Sequence, residues 1–85
     1  AQVLAKAFSS RQARKKLVEI VKHEARGKRN LRFMVAHANA PETAAYLAGQ
    51  LRKHFELRDV PITSVSPALG VHAGPGAAAI AFLGE

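Results

Sequence analysis

The 85-residue chain has no cysteine, no apolar run long enough to span a membrane, and only six acidic residues against thirteen Lys and Arg. The missing cysteine excludes a disulfide framework and thiolate metal or redox chemistry, and it fits a reducing compartment. A membrane span needs about 18 or more apolar residues, and the longest weakly polar stretch, 74–84, falls well short of that. No basic start, apolar middle and small-residue cleavage site marks a signal peptide, so the expected location is cytoplasmic. The chain opens on Ala1 without a Gly/Pro linker, and we expect it to be a piece of a longer protein.

At this length a single domain, 1–85, is expected. Such a domain buries only about 60–65% of the surface its unfolded chain exposes. It is too small to enclose a deep pocket, so a second domain is expected to form the other wall of any sizeable ligand site. The charge of +7 is uneven. Residues 1–32 hold ten basic groups (Lys6, Arg11, Arg14, Lys15, Lys16, Lys22, Arg26, Lys28, Arg29, Arg32) against Glu19 and Glu24. The asymmetry is compatible with a solvated helix face, or with nucleic acid, anionic lipid or an acidic protein as partner.

Ser9-Ser10-Arg11-Gln12 reads as a helix start, with Ser9 as cap and Gln12 completing a capping box. Ala13, Leu17, Ile20, Val21 and Ala25, with Val18 beside them, recur at helical spacing, and Gly27 suits the left-handed C-terminal position. Leu31 to His37 reads as a strand covered on at least one face. Asn39 is expected to cap a second helix, with Pro41 in its first turn, Glu42 three residues on, and Ala44, Leu47, Ala48, Leu51 and Phe55 as its buried stripe. A second strand over 60–65 carries Pro61 near its start, which suggests an edge or a strand entry. After a glycine-rich turn, 77–83 reads as a third strand, whose alanines are expected to admit a close-packed helix. The two strands flanking the second helix should be parallel neighbours or near neighbours.

The turn Ser66-Pro67-Ala68-Leu69-Gly70-Val71-His72-Ala73-Gly74-Pro75-Gly76 is the most informative segment. Gly70, Gly74 and Gly76 permit positive φ and close approach to the backbone, and Pro75 steers Gly74 away from helix. The pattern is neither a phosphate loop, since no Lys-Ser/Thr follows Gly76, nor a dinucleotide fingerprint, since it precedes a strand. An imidazole at His72 can donate a hydrogen bond to a carboxylate or carbonyl oxygen. No obvious relay accompanies it in sequence, and the four histidines (His23, His37, His54, His72) lack metal-ligand spacing. His37 is open between a local backbone hydrogen bond and a role in a site, and His23 and His54 are read as surface or boundary residues.

Residues 65–77 resemble the C-terminal signature of the DegV family, usually Ile-Gly-Pro-Val-Ile-Gly-Thr-His-Thr-Gly-Pro-Gly. Phe33 to Glu42, a strand followed by His-Ala-Asn-x-Pro-Glu, resembles that family's strand–helix junction, and the basic helix from Arg11 is similar to the one preceding it. The resemblance implies a two-layer α/β (α+β) domain, a small mixed sheet with two main helices, forming the C-terminal part of a two-domain bacterial protein. It further implies a non-catalytic module for a long-chain fatty acid, whose carboxylate the counterpart of His72 hydrogen-bonds at the domain junction. FakB-type members of that family present the carboxyl group to a partner fatty-acid kinase. The family's N-terminal domain carries the hydroxyl residues on the carboxylate's other side, so the missing N-terminal domain of the same parent is an expected partner.

His72, Gly74 and Gly76 are the ligand-binding candidates on these grounds. Arg11, in Phe8-Ser9-Ser10-Arg11, is the nearest match to the arginine that the family often carries just before its first helix. Ala77, Ala79 and Ile80 are candidates for the apolar wall. Ala73 stands where the family usually has Thr, and Ser66 where it has Gly. The alternatives are an enzyme subunit like the dihydroxyacetone kinases, for which no nucleotide-binding element is visible, and a basic domain for nucleic acid or protein. No aromatics interleave the basic residues, which argues against nucleic acid. No cofactor and no metal is implied.

Overall fold

A computed structural model describes residues 2–7, 11–65 and 76–85, with 2–7 and Arg11 as backbone alone. The order is β1 (Gln2–Ala7), α1 (Arg11–Glu24), β2 (Arg32–His37), α2 (Pro41–Phe55), β3 (Ile62–Ser64) and β4 (Ala78–Leu83). The strands form one mixed sheet in the order β1-β4-β2-β3. β4 runs antiparallel to both β1 and β2, and β3 runs parallel to β2. This is the expected two-layer α/β domain with two helices, enlarged by a strand. β1 is the addition: Gln2–Ala7 pairs along β4, with a register irregularity between Val3 and Ala5. β3, entered through Pro61, is an edge strand as expected, and Pro61 contributes only its carbonyl, which accepts from the Val35 amide at 2.9 Å.

Alternation along β2 and β4 gives the sheet two unlike faces. Phe33, Val35, Ala78, Ile80 and Phe82 are buried in one core cluster with Leu17, Val18 and Val21 of α1 and Ala44, Leu47 and Leu51 of α2. Phe33 sits centrally, its ring 4.8 Å from Phe55 and 5.6 Å from Phe82 between centroids. On the opposite face, Met34 pairs with Ala81, Ala36 with Ala79 and Arg32 with Leu83. Met34 and Leu83 are 44% and 47% exposed there. The helix layer therefore packs on Ile80 and Phe82, not on the alanines of β4, which mostly line the open face.

α1 buries Leu17, Val18, Val21 and Ala25, and leaves Ile20 37% exposed. Val18, not Ile20, belongs to the buried stripe, because 17, 18, 21 and 25 fall on one side of a helix at 100° per residue and 20 falls at its margin. After Glu24 the chain turns through Gly27 at φ 79°. A Cβ on Gly27 would meet no atom within 4 Å, so its replacement is limited by conformation alone. Gly27→Ala is expected to cost about 1 kcal/mol, the penalty of a left-handed non-glycine residue. The check is a lower urea midpoint with an unchanged slope.

α2 begins at Pro41, and its N-cap is Ala40 with no side-chain cap. Asn39 is not the cap. It adopts φ 54°, a left-handed turn conformation that asparagine tolerates better than most residues, which leaves the cap position to Ala40. The proposed capping box at the start of α1 rests on Ser9, outside the described residues.

Candidate functional site

The chemistry-bearing segments meet at one end of the sheet. Ala78, the first residue of β4, pairs with Ala7, the last of β1, and with His37, the last of β2. His37 also pairs with Ser64, the last of β3. Three strands thus end where the fourth begins. α2 starts four residues after β2 ends, and Arg11 starts α1 four residues after Ala7, a reach of at most about 14 Å. Both helices therefore begin at this end, and their unpaired N–H groups give it a positive potential.

The glycine-rich segment is rooted here. The Val65 amide donates to the His37 carbonyl at 2.8 Å, and the Gly76 amide donates to the Ala38 carbonyl at 2.7 Å. The Ala38 amide donates in turn to Ala77 O at 2.9 Å, extending the β2–β4 ladder beyond His37. Val65 and Gly76, the described residues on either side of 66–75, are thus both held by the backbone of His37 and Ala38. Gly76, at φ 88°, occupies the left-handed region that favours glycine. Beside it, Asn39, Ala40, Pro41, Glu42, Thr43 and Gly76 line a shallow cleft of about 310 Å³. That is the lower edge of the range for ligand pockets, room for a head group and not for a long chain.

Of the expected site residues, Gly76 is at this end of the sheet and Arg11 begins α1 there; His72 and Gly74 lie outside the described residues, as does the Arg11 side chain. Ile80 is fully buried and Ala77 5% exposed, so both belong to the interior. Of the proposed wall only Ala79 faces the open side of the sheet, joined by Met34, Ala36 and Ala81, which sequence reasoning missed. The alternation of Ile80 with Phe82 was the signal that would have separated the two faces.

His37 makes the local backbone hydrogen bond: its Nδ1 accepts from the Ala40 amide at 3.0 Å. Of the cations opening α1, Lys15 and Lys16 are exposed, whereas Arg14 is half-buried with its guanidinium carbon 4.8 Å from the Tyr46 ring centroid. Arg14 is thus tied to the helix–helix contact rather than part of a freely solvated basic face. Among the described residues, no His, Asp and Glu side chains converge as a metal site, and no helix is long and apolar enough to cross a membrane.

The fold and its convergent end define a two-layer α/β domain offering one open apolar face and a loop-bearing rim. Comparison with known proteins names the family. A family model described as "Uncharacterised protein, DegV family" matches residues 1–85. The chain is 32% identical over 82 residues to a DegV domain-containing protein of Streptococcus pneumoniae, covering 96% of this chain and 29% of that protein. A crystal structure of a fatty acid binding DegV family protein from Streptococcus agalactiae superposes with a TM-score of 0.71 at 28% identity, covering 88% of this chain and 26% of that one. A DegV family protein from Corynebacterium glutamicum gives a TM-score of 0.59 at 29% identity, covering 85% of this chain and 27% of that one. The chain belongs to the DegV family, and it spans less than a third of the length of these relatives.

Proposed function

We propose that this chain forms one wall of a fatty-acid site as the C-terminal part of a DegV-type carrier, and that it is not itself catalytic. The observation that carries this reading is the continuity of two surfaces. The open face of small and apolar residues, Met34, Ala36, Ala79, Ala81 and Leu83, runs up to the sheet end where the roots of the His72 segment are pinned. A six-residue strand is about 20 Å long, comparable to an extended long-chain acyl group. His72 donates a hydrogen bond to the ligand carboxylate, Gly74 and Gly76 allow its close approach, and Arg11 with the two helix starts supplies positive potential.

A tail lying on one open face keeps its other side in water. It then gains only about half of the ~0.8 kcal/mol per CH₂ that full burial provides. This is the physical reason for a second wall, which we assign to the N-terminal domain of the same parent. In this reading the carrier is cytoplasmic and presents the carboxyl group to a partner fatty-acid kinase.

The test is to purify the full protein containing this segment and analyse bound small molecules by mass spectrometry. Near-stoichiometric fatty acid is expected. A protein that emerges empty and takes up neither labelled oleate nor labelled palmitate would exclude the reading. Phosphorylation of the bound acid should require the added kinase, and transfer without it would point to an enzyme instead.

A further inference from the structure

We propose that the cleft at the start of α2 is a subsite for a phosphate-class oxyanion, held by the amides of Glu42 and Thr43 and by the Thr43 hydroxyl. The proposal rests on the fatty-acid reading above for the source of the anion, and on its own geometry for the site. The backbone donors at the start of α2 can be accounted for one by one. The Ala40 amide donates to His37 Nδ1 at 3.0 Å. Pro41 has no N–H to place. The first bond of the helix runs from the Ala44 amide to Ala40 O at 3.0 Å. The amides of Glu42 and Thr43 lie between, and among the described residues neither has an acceptor. The N-cap gives them none, since Ala40 makes no side-chain bond.

Thr43 supplies the second, independent observation. It is 3% exposed, the one buried polar side chain among the described residues, and it lines the cleft of about 310 Å³. Among the described residues its hydroxyl makes no hydrogen bond. A polar residue buried to this degree without a partner calls for a ligand or a water. An unused hydroxyl therefore lies beside two unused amides at the positive end of a 15-residue helix, where anions are favoured. Three donors match a tetrahedral oxyanion better than a planar carboxylate, which has only two oxygens to offer. Gly76 adds no side chain to the cleft, and the Asn39 amide lines it as a neutral polar group. The Glu42 carboxylate is the opposing charge on the lining; it is exposed and weakens the attraction without filling the site. In the fatty-acid reading the anion is the product of the kinase step. A carboxylate oxygen takes the terminal phosphoryl group of a nucleoside triphosphate, the diphosphate leaves, and the acyl phosphate carries the new oxyanion. Free phosphate has the same chemistry and is the other source.

The experiment titrates inorganic phosphate into the full protein containing this segment and follows the backbone amide resonances, with chloride at equal ionic strength as control. The Glu42 and Thr43 amides should shift saturably with phosphate and not with chloride. Thr43→Val keeps the shape and removes the donor, and Thr43→Ala replaces it if the valine variant does not fold. Either should bind phosphate about tenfold or more weakly, the scale of a hydrogen bond to a charged acceptor. Thr43→Ser keeps the hydroxyl and should keep the affinity, and Glu42→Gln should tighten binding. Amides of Glu42 and Thr43 that do not respond, or respond equally to chloride, overturn the proposal. So does a Thr43→Val protein that binds phosphate as tightly as the unsubstituted one. Kinase and nucleoside triphosphate added to oleate-loaded protein separate the sources. Acyl phosphate formed about tenfold more slowly in Thr43→Val assigns the subsite to the bound product, and an equal rate assigns it to free phosphate. If the unsubstituted protein takes up no oleate, the fatty-acid reading fails, and the phosphate titration alone still decides the subsite.

Discussion

His72→Ala in the full protein is expected to weaken fatty-acid binding by roughly 10- to 100-fold while leaving the unfolding midpoint nearly unchanged. A hydrogen bond to a charged acceptor contributes about 1.5–3 kcal/mol, and each 1.4 kcal/mol is tenfold in affinity. Val65 and Gly76, on either side of 66–75, are held by backbone bonds to His37 and Ala38, so the loss is expected in ligand affinity and not in stability. The deficit should also be the same for acids of different chain length, because the proposed contact is to the head group. A charge on the open face behaves differently. On the proposed reading Ala81→Glu sets a carboxylate under the tail, and its penalty should grow with the number of methylenes. Isothermal titration with a series of fatty acids separates the two. Equal affinity of His72→Ala and the unsubstituted protein would remove His72 from the site.

Leu47→Ala should bring the domain close to unfolding. Leu47 is fully buried among Leu17, Leu51, Val35 and Ile80, where α1, α2 and the sheet meet. Truncating a buried leucine costs about 2–5 kcal/mol from lost transfer free energy and the cavity left behind. At about 0.05–0.15 kcal/mol per residue, an 85-residue domain has roughly 4–13 kcal/mol to lose. Ile20→Ala is the control. At 37% exposure it should shift stability by about 0.5 kcal/mol or less. Urea unfolding of both variants measures the difference, and equal losses would contradict the assignment of the α1 stripe.

The family and much of the architecture were written locally. Helical recurrence at Leu17, Val18, Val21 and Ala25, and at Ala44, Leu47, Ala48 and Leu51, places both helices, and Gly27 ends the first as its conformational freedom requires. The run from Val65 to Ala77 identifies the DegV signature because its glycines, proline and histidine stand at a specific spacing. Pro61 marks an edge strand, since it cannot donate to a ladder.

Other features exist only once the chain is folded. β1 escaped the sequence because Gln2–Ala7 is a short edge strand of mixed residues, bounded by no strong turn residues, whose pairing depends on β4 more than seventy positions away. Whether Val18 or Ile20 is buried is a matter of helix rotation about its axis, which only the sheet beneath it sets. Asn39 looked like a cap, yet the turn needed its tolerance of positive φ more than its side-chain oxygen, and His37 supplied an acceptor three residues before the N-cap Ala40. The alanines of β4 could serve either face, and Ile80 and Phe82 decided the matter by occupying the core. Of the candidate site residues the structure places Gly76 and the α1 start at Arg11 at one rim, and that geometry was not legible in the sequence. Three strand ends, two helix starts and both loop roots share one rim because of long-range pairing, which no local pattern encodes.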